Sequence, residues 1–169
     1  MKEKLKLKAK DLMVQDYAII HPHTPVREAA RLIFEGRVRE TGYKPFGIMV
    51  VNDRGRLVGM VSMTDILYHV RPPFLVHQSD GSNRCGFNLG DEEIDFHLEE
   101  FNDLRVEEIM TSPVITVCPD DQLMVIIDRM IKHKVRRLPV EDGEKLYGIV
   151  YLSDVYFHAY ETWLRPQKA

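Results

Sequence analysis

The chain contains one pattern of elements twice, and the two copies come into register when residue numbers are subtracted. Met13 corresponds to Met110 and Pro22 to Pro119, in both cases 97 positions apart. The apolar residues of the helix that follows keep the same spacing. The matched pairs are Val26 and Leu123, Ala29 and Ile126, Ala30 and Ile127, Ile33 and Met130, and Phe34 and Ile131. Such a duplication predicts two similar halves packed about an approximate two-fold axis, with any ligand site in the cleft between them.

An insertion interrupts the register. Gly59 corresponds to Gly148 and Asp65 to Asp154, now 89 positions apart, so the first copy carries eight extra residues around positions 39 to 46. In both copies the pattern of residues predicts a strand, a helix, a β-hairpin and a second helix. The first helices are expected to begin at the caps Thr24 and Asp121. The predicted class is therefore α/β (α+β), with two β-α-β-β-α repeats about a pseudo-two-fold axis.

Five parts are predicted along the chain. They are a leader (1–9), the first repeat with an insert near 37–46 (10–70), a linker (71–105), the second repeat (106–160) and a C-terminal tail (161–169). The linker is rich in loop-forming residues, but its acidic stretch from Asp91 to Phe101 has apolar residues at helical spacing and predicts a short surface helix.

Composition narrows the possible partners and compartment. The 169 residues are 44% hydrophobic and 29% charged, with a net charge of −3, which argues against a nucleic-acid-binding protein. The longest apolar runs are too short to span a membrane. The two cysteines, Cys85 and Cys118, lie in different segments and fit a reducing compartment, so a cytoplasmic location is expected.

The residues that follow each hairpin have the chemistry of a nucleotide site. Gly59 to Asp65 and Gly148 to Asp154 each lead from a strand into a helix. A carboxylate can accept both hydroxyl hydrogens of a ribose diol. Small hydroxyls and the amides of a helix start suit a phosphate.

These two runs, together with the run from Val135 to Val140, resemble a tandem pair of CBS domains, also called a Bateman module. The resemblance covers residues 10–160 apart from the linker. It implies that the aspartate binds the ribose of an adenine nucleotide, while the hydroxyls and the basic residues contact phosphates. One implied half-site comprises Asp65, Ser62 and Thr64, and the other comprises Asp154, Ser153, Arg136 and Arg137. Ala18 and Ile115, each opposite the other copy's aspartate, would flank the adenine.

The chain departs from the family pattern at both half-sites. Tyr151 stands where the family has serine or threonine, and it could fill the pocket or stack on a base. The first copy lacks the basic residues before its hairpin. Its insert could supply them from Arg37, Arg39 and Lys44.

Simpler interpretations of the same residues stay open. Asp65 and Asp154 could be ordinary helix caps, and Arg136 and Arg137 could be solvated charges. The seven histidines lack the spacing of a metal site, so no metal is expected at Cys85, His77 or His97.

The function expected from this pattern is a non-enzymatic regulatory module that senses AMP, ADP, ATP or S-adenosylmethionine. A separate effector protein would carry the regulated activity. The alternative is a dimerisation or scaffold protein with an empty or blocked cleft, and a small enzyme is a third, weaker possibility. A homodimer is expected because the helices carry more apolar material than one small interface buries. The residues concerned are Phe34, Ile131, Tyr156, Phe157 and Trp163.

Overall fold

The computed structural model describes residues 7–39, 42–72 and 90–165. The first copy consists of β1 (Ile19–Ile20), α2 (Val26–Glu35), β2 (Gly47–Val51), β3 (Leu57–Ser62) and α3 (Met63–Val70). The second consists of α6 (Leu123–His133), β4 (Arg137–Asp142), β5 (Lys145–Tyr151) and α7 (Leu152–Ala159), which a π-helical turn (Tyr160–Leu164) extends. A short helix precedes each copy, α1 (Ala9–Leu12) before the first and α5 (Val106–Ile109) before the second, and α4 (Asp91–Asp103) lies between the copies.

Both copies are built around an antiparallel hairpin. In the first, β2 pairs with β3 and β1 adds a parallel strand at the other edge of β2. In the second, β4 pairs with β5. The hairpin turns contain Gly55 and Gly143 at φ angles of 73° and 63°, a region that costs glycine little and other residues much more. The predicted order of elements is thus confirmed in the first copy.

The strand predicted at residues 114–117 of the second copy is reduced to a single bridge between Val117 and Val140. The Val117 amide donates to the Pro139 carbonyl at 3.0 Å, and the Glu141 amide donates to the Val117 carbonyl at 2.9 Å. The next rung needs an N–H from residue 139, which proline does not have. A parallel ladder therefore stops there, whereas Met49 at the equivalent place in β2 continues it in the first copy.

The long helices bury the stripes that their spacing predicts. Val26, Ala29 and Ile33 of α2 are buried, as are the equivalent residues of α6. Both helices begin later than expected, after Pro25 and after Gln122. The predicted caps at Thr24 and Asp121 are therefore wrong. The carbonyl groups of these two residues instead accept hydrogen bonds from the helix that precedes the opposite copy.

The two lead-in segments, residues 7–14 and 104–111, are exchanged between the copies. The Ala9 amide donates to the Asp121 carbonyl at 2.8 Å, and the Val106 amide donates to the Thr24 carbonyl at 2.9 Å. Ala9 and Leu12 are buried in the core of the second copy. Their counterparts Val106 and Ile109 are buried in the core of the first. Each core is therefore completed by a helix that precedes the other copy.

Charge reinforces the contact of the first lead-in segment. Lys8 and Lys10 both place Nζ 2.8 Å from an oxygen of Asp120, at the start of the second copy. Hydrogen bonds to these two ammonium groups lower the pKa of Asp120 to about 2. The part of the lysine-rich start that the structure describes thus anchors α1 to the second copy.

Close approach of the backbones completes the exchange. Val14 forms an antiparallel bridge with Ile149, and Thr111 forms the equivalent bridge with Met60. A methyl group on Gly148 would lie 2.7 Å from the Val14 carbonyl oxygen. The glycine in the middle of β5 is therefore required by the crossing chain, because no larger residue leaves it room.

The helix predicted in the linker extends from Asp91 to Asp103, two residues beyond the predicted end at Phe101. Phe101 is buried in the core of the first copy. A third apolar cluster lies between the two sheets and contains Met49, Met60, Ile149 and Tyr151. This cluster forms the floor of the cleft between the copies.

Candidate functional site

Asp154 lies at the junction between β5 and α7, in the first turn of the helix. Tyr151 ends the strand, and Leu152 begins the helix with its amide hydrogen-bonded to the Arg136 carbonyl at 2.9 Å. The Asp154 carboxylate is buried, with 8% of its side chain exposed. A carboxylate that is buried in this way requires a partner of its own.

A cavity of about 730 Å³ opens beside Asp154. The segment from Val14 to Ala18, which crosses to β5, forms one side, and the start of the insert forms another. The apolar part of the lining includes Leu12, Val14, Leu32, Ile33, Ile48, Met49, Ile149 and Phe157. The polar part includes Asp11, Asp16, Arg37, Arg39, Tyr151, Asp154 and His158. Apolar walls with a few convergent polar groups are typical of a small-molecule site, and this volume is in the usual range.

Arg39, from the insert, fills the polar end of the cavity. Its Nη1 donates to Asp154 Oδ2 at 2.5 Å, and its Nη2 donates to Ser153 Oγ at 3.0 Å. The guanidinium carbon lies 4.0 Å from the centre of the Tyr151 ring. The side chain of Arg39 is only 13% exposed. Arg39 thus neutralises the carboxylate and stacks on the aromatic ring at the same time.

Tyr151 is buried between this arginine and the sheet. Burial raises the pKa of its phenol, and the positive charges of Arg39 and Arg137 oppose the shift. The raised pKa keeps the hydroxyl protonated at neutral pH, since even an ordinary tyrosine titrates near 10. Tyr151 therefore offers the cavity a neutral hydroxyl and an aromatic face.

The half-site around Asp65 is organised differently. Asp65 Oδ2 accepts hydrogen bonds from the Ser62 amide at 2.7 Å and from Ser62 Oγ at 2.5 Å. The Asp65 amide donates back to Ser62 Oγ at 3.3 Å, which completes a capping box at the start of α3. Thr111 Oγ1, from the crossing segment, donates to Asp65 Oδ1 at 3.2 Å. Thr64 is exposed on the first turn of the same helix.

Arg136 and Arg137, at the start of β4, lie apart from Asp154. Among the described residues, no hydrogen bond or ion pair joins either side chain to that carboxylate. Arg136 is exposed, while Arg137 packs against the backbone of Gly47. Burial lowers the pKa of Arg137, and Tyr151 and Asp65 oppose the shift. Arg137 therefore lies within the electrostatic reach of both Tyr151 and Asp65.

The structure brings six of the ten predicted site residues together in two groups. Ala18, Tyr151, Ser153 and Asp154 meet around the cavity, and Ser62 and Asp65 meet at the other junction. Ile115 is partly buried against the core of the second copy.

Of the three cations proposed in the insert, Arg39 and Arg37 line the cavity, and Arg37 is exposed. Lys44 instead donates to the carbonyl of Phe34 at 3.3 Å. Sequence reasoning did not identify Thr111 or Gly47. Thr111 could have been found from the register, because it corresponds to Val14, which precedes the segment proposed to flank a base.

The described part of the chain contains neither a cluster of potential metal ligands nor a membrane-spanning helix. No group of three or more potential ligands could hold a metal ion within residues 7–39, 42–72 and 90–165. His97 contacts the His69 carbonyl at 3.2 Å, and Cys85 and His77 lie outside the described residues. Over the same ranges, no helix is both long and apolar enough to cross a bilayer.

Comparison with known proteins identifies related domains. The family model described as the CBS domain matches residues 9–72 and 106–160. Homoserine O-acetyltransferase of Methanococcoides burtonii is 27% identical over 146 residues, which is 86% of this chain and 22% of that protein. The 5'-AMP-activated protein kinase subunit gamma-3 of Sus scrofa is 25% identical over 142 residues, which is 83% of this chain and 23% of that subunit. The chain thus spans less than a quarter of the length of these two relatives.

Solved structures share the fold. The crystal structure of CBSX2 in complex with AMP superposes with a TM-score of 0.64 at 25% identity. The match covers 91% of this chain and 96% of that one. The predicted α+β fold of two similar repeats is therefore confirmed, with the first strand of the second repeat reduced to a single bridge.

Proposed function

This chain belongs to the CBS domain family, and we propose that it is a regulatory module that binds an adenine nucleotide in the cavity beside Asp154. The observation that carries the proposal is a buried carboxylate at the end of an apolar cavity of about 730 Å³ between the two copies. We propose no catalytic role for the chain itself. The regulated activity would reside in a separate effector protein or in another domain.

The chemistry of the cavity supports a nucleoside ligand. A ribose diol can donate two hydrogen bonds to one carboxylate, and the Asp154 carboxylate lies at the polar end of the cavity. Ala18 and the apolar walls offer a dry surface for a flat base. CBSX2 was crystallised in complex with AMP, and the gamma-3 subunit belongs to a 5'-AMP-activated kinase, which is why an adenine nucleotide is preferred here. Of the compounds expected from the sequence, AMP, ADP and ATP fit this proposal better than S-adenosylmethionine, because Arg39 favours an anion.

Binding in this cavity would act on the contact between the copies. The segment from Val14 to Ala18 belongs in sequence to the first copy but pairs with β5 of the second. A ligand that contacts both this segment and Asp154 binds one relative arrangement of the copies better than another. It would therefore shift the population of arrangements toward the one it prefers. We place this sensor in the cytoplasm, in line with its two isolated cysteines.

Isothermal titration calorimetry with AMP, ADP, ATP and S-adenosylmethionine tests the proposal. Asp154→Asn keeps the shape of the side chain but removes its charge, and it is expected to weaken AMP binding by about ten- to a hundredfold. Asp128→Ala is the matched control, because Asp128 is an exposed carboxylate on α6. Equal AMP affinity in the wild type and in Asp154→Asn would remove Asp154 from the site.

We also propose that two copies of the chain associate through α3 and α7. This proposal has a separate basis, the apolar side chains that these helices leave exposed. The residues are Met63, Leu67 and Tyr68 on α3 and Leu152, Tyr156 and Phe157 on α7. So many large apolar side chains exposed on two helices are unusual in a monomer and typical of an interface. The scaffold interpretation would retain this surface even if the cavity bound nothing.

A further inference from the structure

Arg39 is bound to the Asp154 carboxylate, the group that the ribose of a nucleoside would need. Its guanidinium donates to Asp154 at 2.5 Å and to Ser153 at 3.0 Å, and it covers the ring of Tyr151. A ribose diol can reach the Asp154 carboxylate only if the guanidinium moves away. Ligand binding in this cavity is therefore an exchange of partners as well as an addition of contacts.

The cost of that exchange depends on the ligand. A buried guanidinium that loses its carboxylate and gains no other anion is an uncompensated charge, which is strongly unfavourable. Asp11 and Asp16 also line the cavity, but both are exposed and offer a weak, solvent-screened attraction. A phosphate group on the ligand would provide a charged, bidentate partner of the kind that arginine prefers.

We propose that Arg39 makes this cavity selective for a phosphorylated nucleotide over the corresponding nucleoside, by exchanging Asp154 for a phosphate of the ligand. The inference rests on the function proposed above and adds a specificity-determining residue to it. Adenosine must displace Arg39 without compensating it, whereas AMP releases Asp154 for its ribose and supplies the anion that Arg39 then binds.

The position of Arg39 in the chain restricts this exchange of partners to one of the two half-sites, the one that contains Asp154. It lies in the connection between α2 and β2, which has eleven residues, whereas the equivalent connection between α6 and β4 has three. The second copy therefore has no counterpart of Arg39 in its sequence. The selectivity belongs to the Asp154 cavity alone, since Asp65 is satisfied by Ser62 and Thr111.

The test is a comparison of AMP with adenosine by calorimetry on the wild type and on Arg39→Ala. The wild type is expected to bind AMP more tightly. Arg39→Ala removes the competitor for Asp154 for both compounds, but AMP also loses its charged contact with Arg39. Adenosine binding should therefore strengthen about tenfold or more, while AMP binding should change little. The ratio of the two affinities should thus fall about ten- to a hundredfold. Arg54→Ala, which removes an exposed arginine from the turn between β2 and β3, should leave the ratio unchanged.

Two additions keep the test decisive. Arg39→Gln retains hydrogen-bonding capacity toward Asp154 and Ser153 without the charge, so it gives the same readout if Arg39→Ala fails to fold. Asp154→Asn, which should weaken the binding of both compounds, checks that the binding measured takes place in this cavity. A ratio within about threefold of wild type in both Arg39 variants overturns the inference while leaving the proposed function in place. If neither AMP nor adenosine binds to the wild type, both the inference and the proposed function are overturned.

Discussion

Ser62 and Tyr151 occupy corresponding positions at the ends of β3 and β5, yet they leave the neighbouring carboxylates in different states. Ser62 exchanges hydrogen bonds with Asp65 and closes a capping box. Tyr151 makes no side-chain capping bond to the start of α7. Asp154 is therefore not committed to its own helix and is paired with Arg39 instead. This one difference separates a carboxylate that stabilises a helix from one that faces a cavity.

The capping role of Asp65 predicts a loss of stability in Asp65→Ala. The variant removes the acceptor of the Ser62 amide, of Ser62 Oγ and of Thr111 Oγ1, and it should lower the free energy of unfolding by about 0.5–2 kcal/mol. Thr64→Ala is the matched control, because Thr64 is exposed and adjacent, and it should stay within about 0.5 kcal/mol of wild type. Urea unfolding measures both. A change in Asp65→Ala no larger than in Thr64→Ala would argue against the capping role.

The helices and strands could be predicted from the local sequence, but the contacts between them could be predicted only in part. The stripe of α2 and the Asp142–Gly143 turn of the second hairpin each contain their own physical signal, so they were predictable. Pro139 explains why the strand predicted at residues 114–117 is reduced to one bridge, but only once it is known that Val117 pairs with Val140. The exchange of lead-in segments has no local signal. Leu12 has the same neighbours in sequence whether it packs on the first copy or on the second.

The position of Arg39 was unpredictable for a related reason. The insert is visible as a change of spacing from 97 to 89, and its cations were proposed as site residues. A long side chain on an irregular connection can reach several acidic groups, however, and periodicity does not choose among them. Only the packed structure shows that it reaches Asp154.

The exchanged helices give a prediction with an internal control. Leu12 and Ile109 are equivalent in the two lead-in segments, and both are buried. Leu12→Ala and Ile109→Ala should each cost about 2–5 kcal/mol. Amide hydrogen exchange should show that Leu12→Ala weakens the protection of β4 and β5, more than a hundred residues away in the chain. Ile109→Ala should instead weaken β2 and β3. Loss of protection in the first copy on mutation of Leu12 would contradict the exchange.

At the scale of the whole molecule, the two copies are joined by their exchanged helices, and exposed apolar side chains remain on α3 and α7. Tyr156 is 63% exposed there. A two-fold arrangement of two chains would cover this surface by matching it with itself. The two lead-in segments lie elsewhere, in the cores, so association of chains need not disturb the exchange between copies.

Light scattering at micromolar concentration should therefore give the mass of two chains. Tyr156→Asp places a charge on the proposed interface and should give the mass of one chain, since burial of an unpaired charge is costly. Phe96→Asp is the control, because Phe96 is equally exposed but lies on α4. A wild type with the mass of one chain at all accessible concentrations would assign the surface to a different protein.

The exchange of lead-in segments also sets an order of events during protein synthesis. Ala9 pairs with Asp121, which is made 112 residues later, a delay of roughly 6–22 s at ordinary elongation rates. Among the described residues, the first core extends only from Ile20 to Met110, so the residues that build it have been made while α1 still has no surface to pack on. Although α1 leaves the ribosome early, it is among the last elements to be buried. The core of the second copy is complete only when that copy packs against α1.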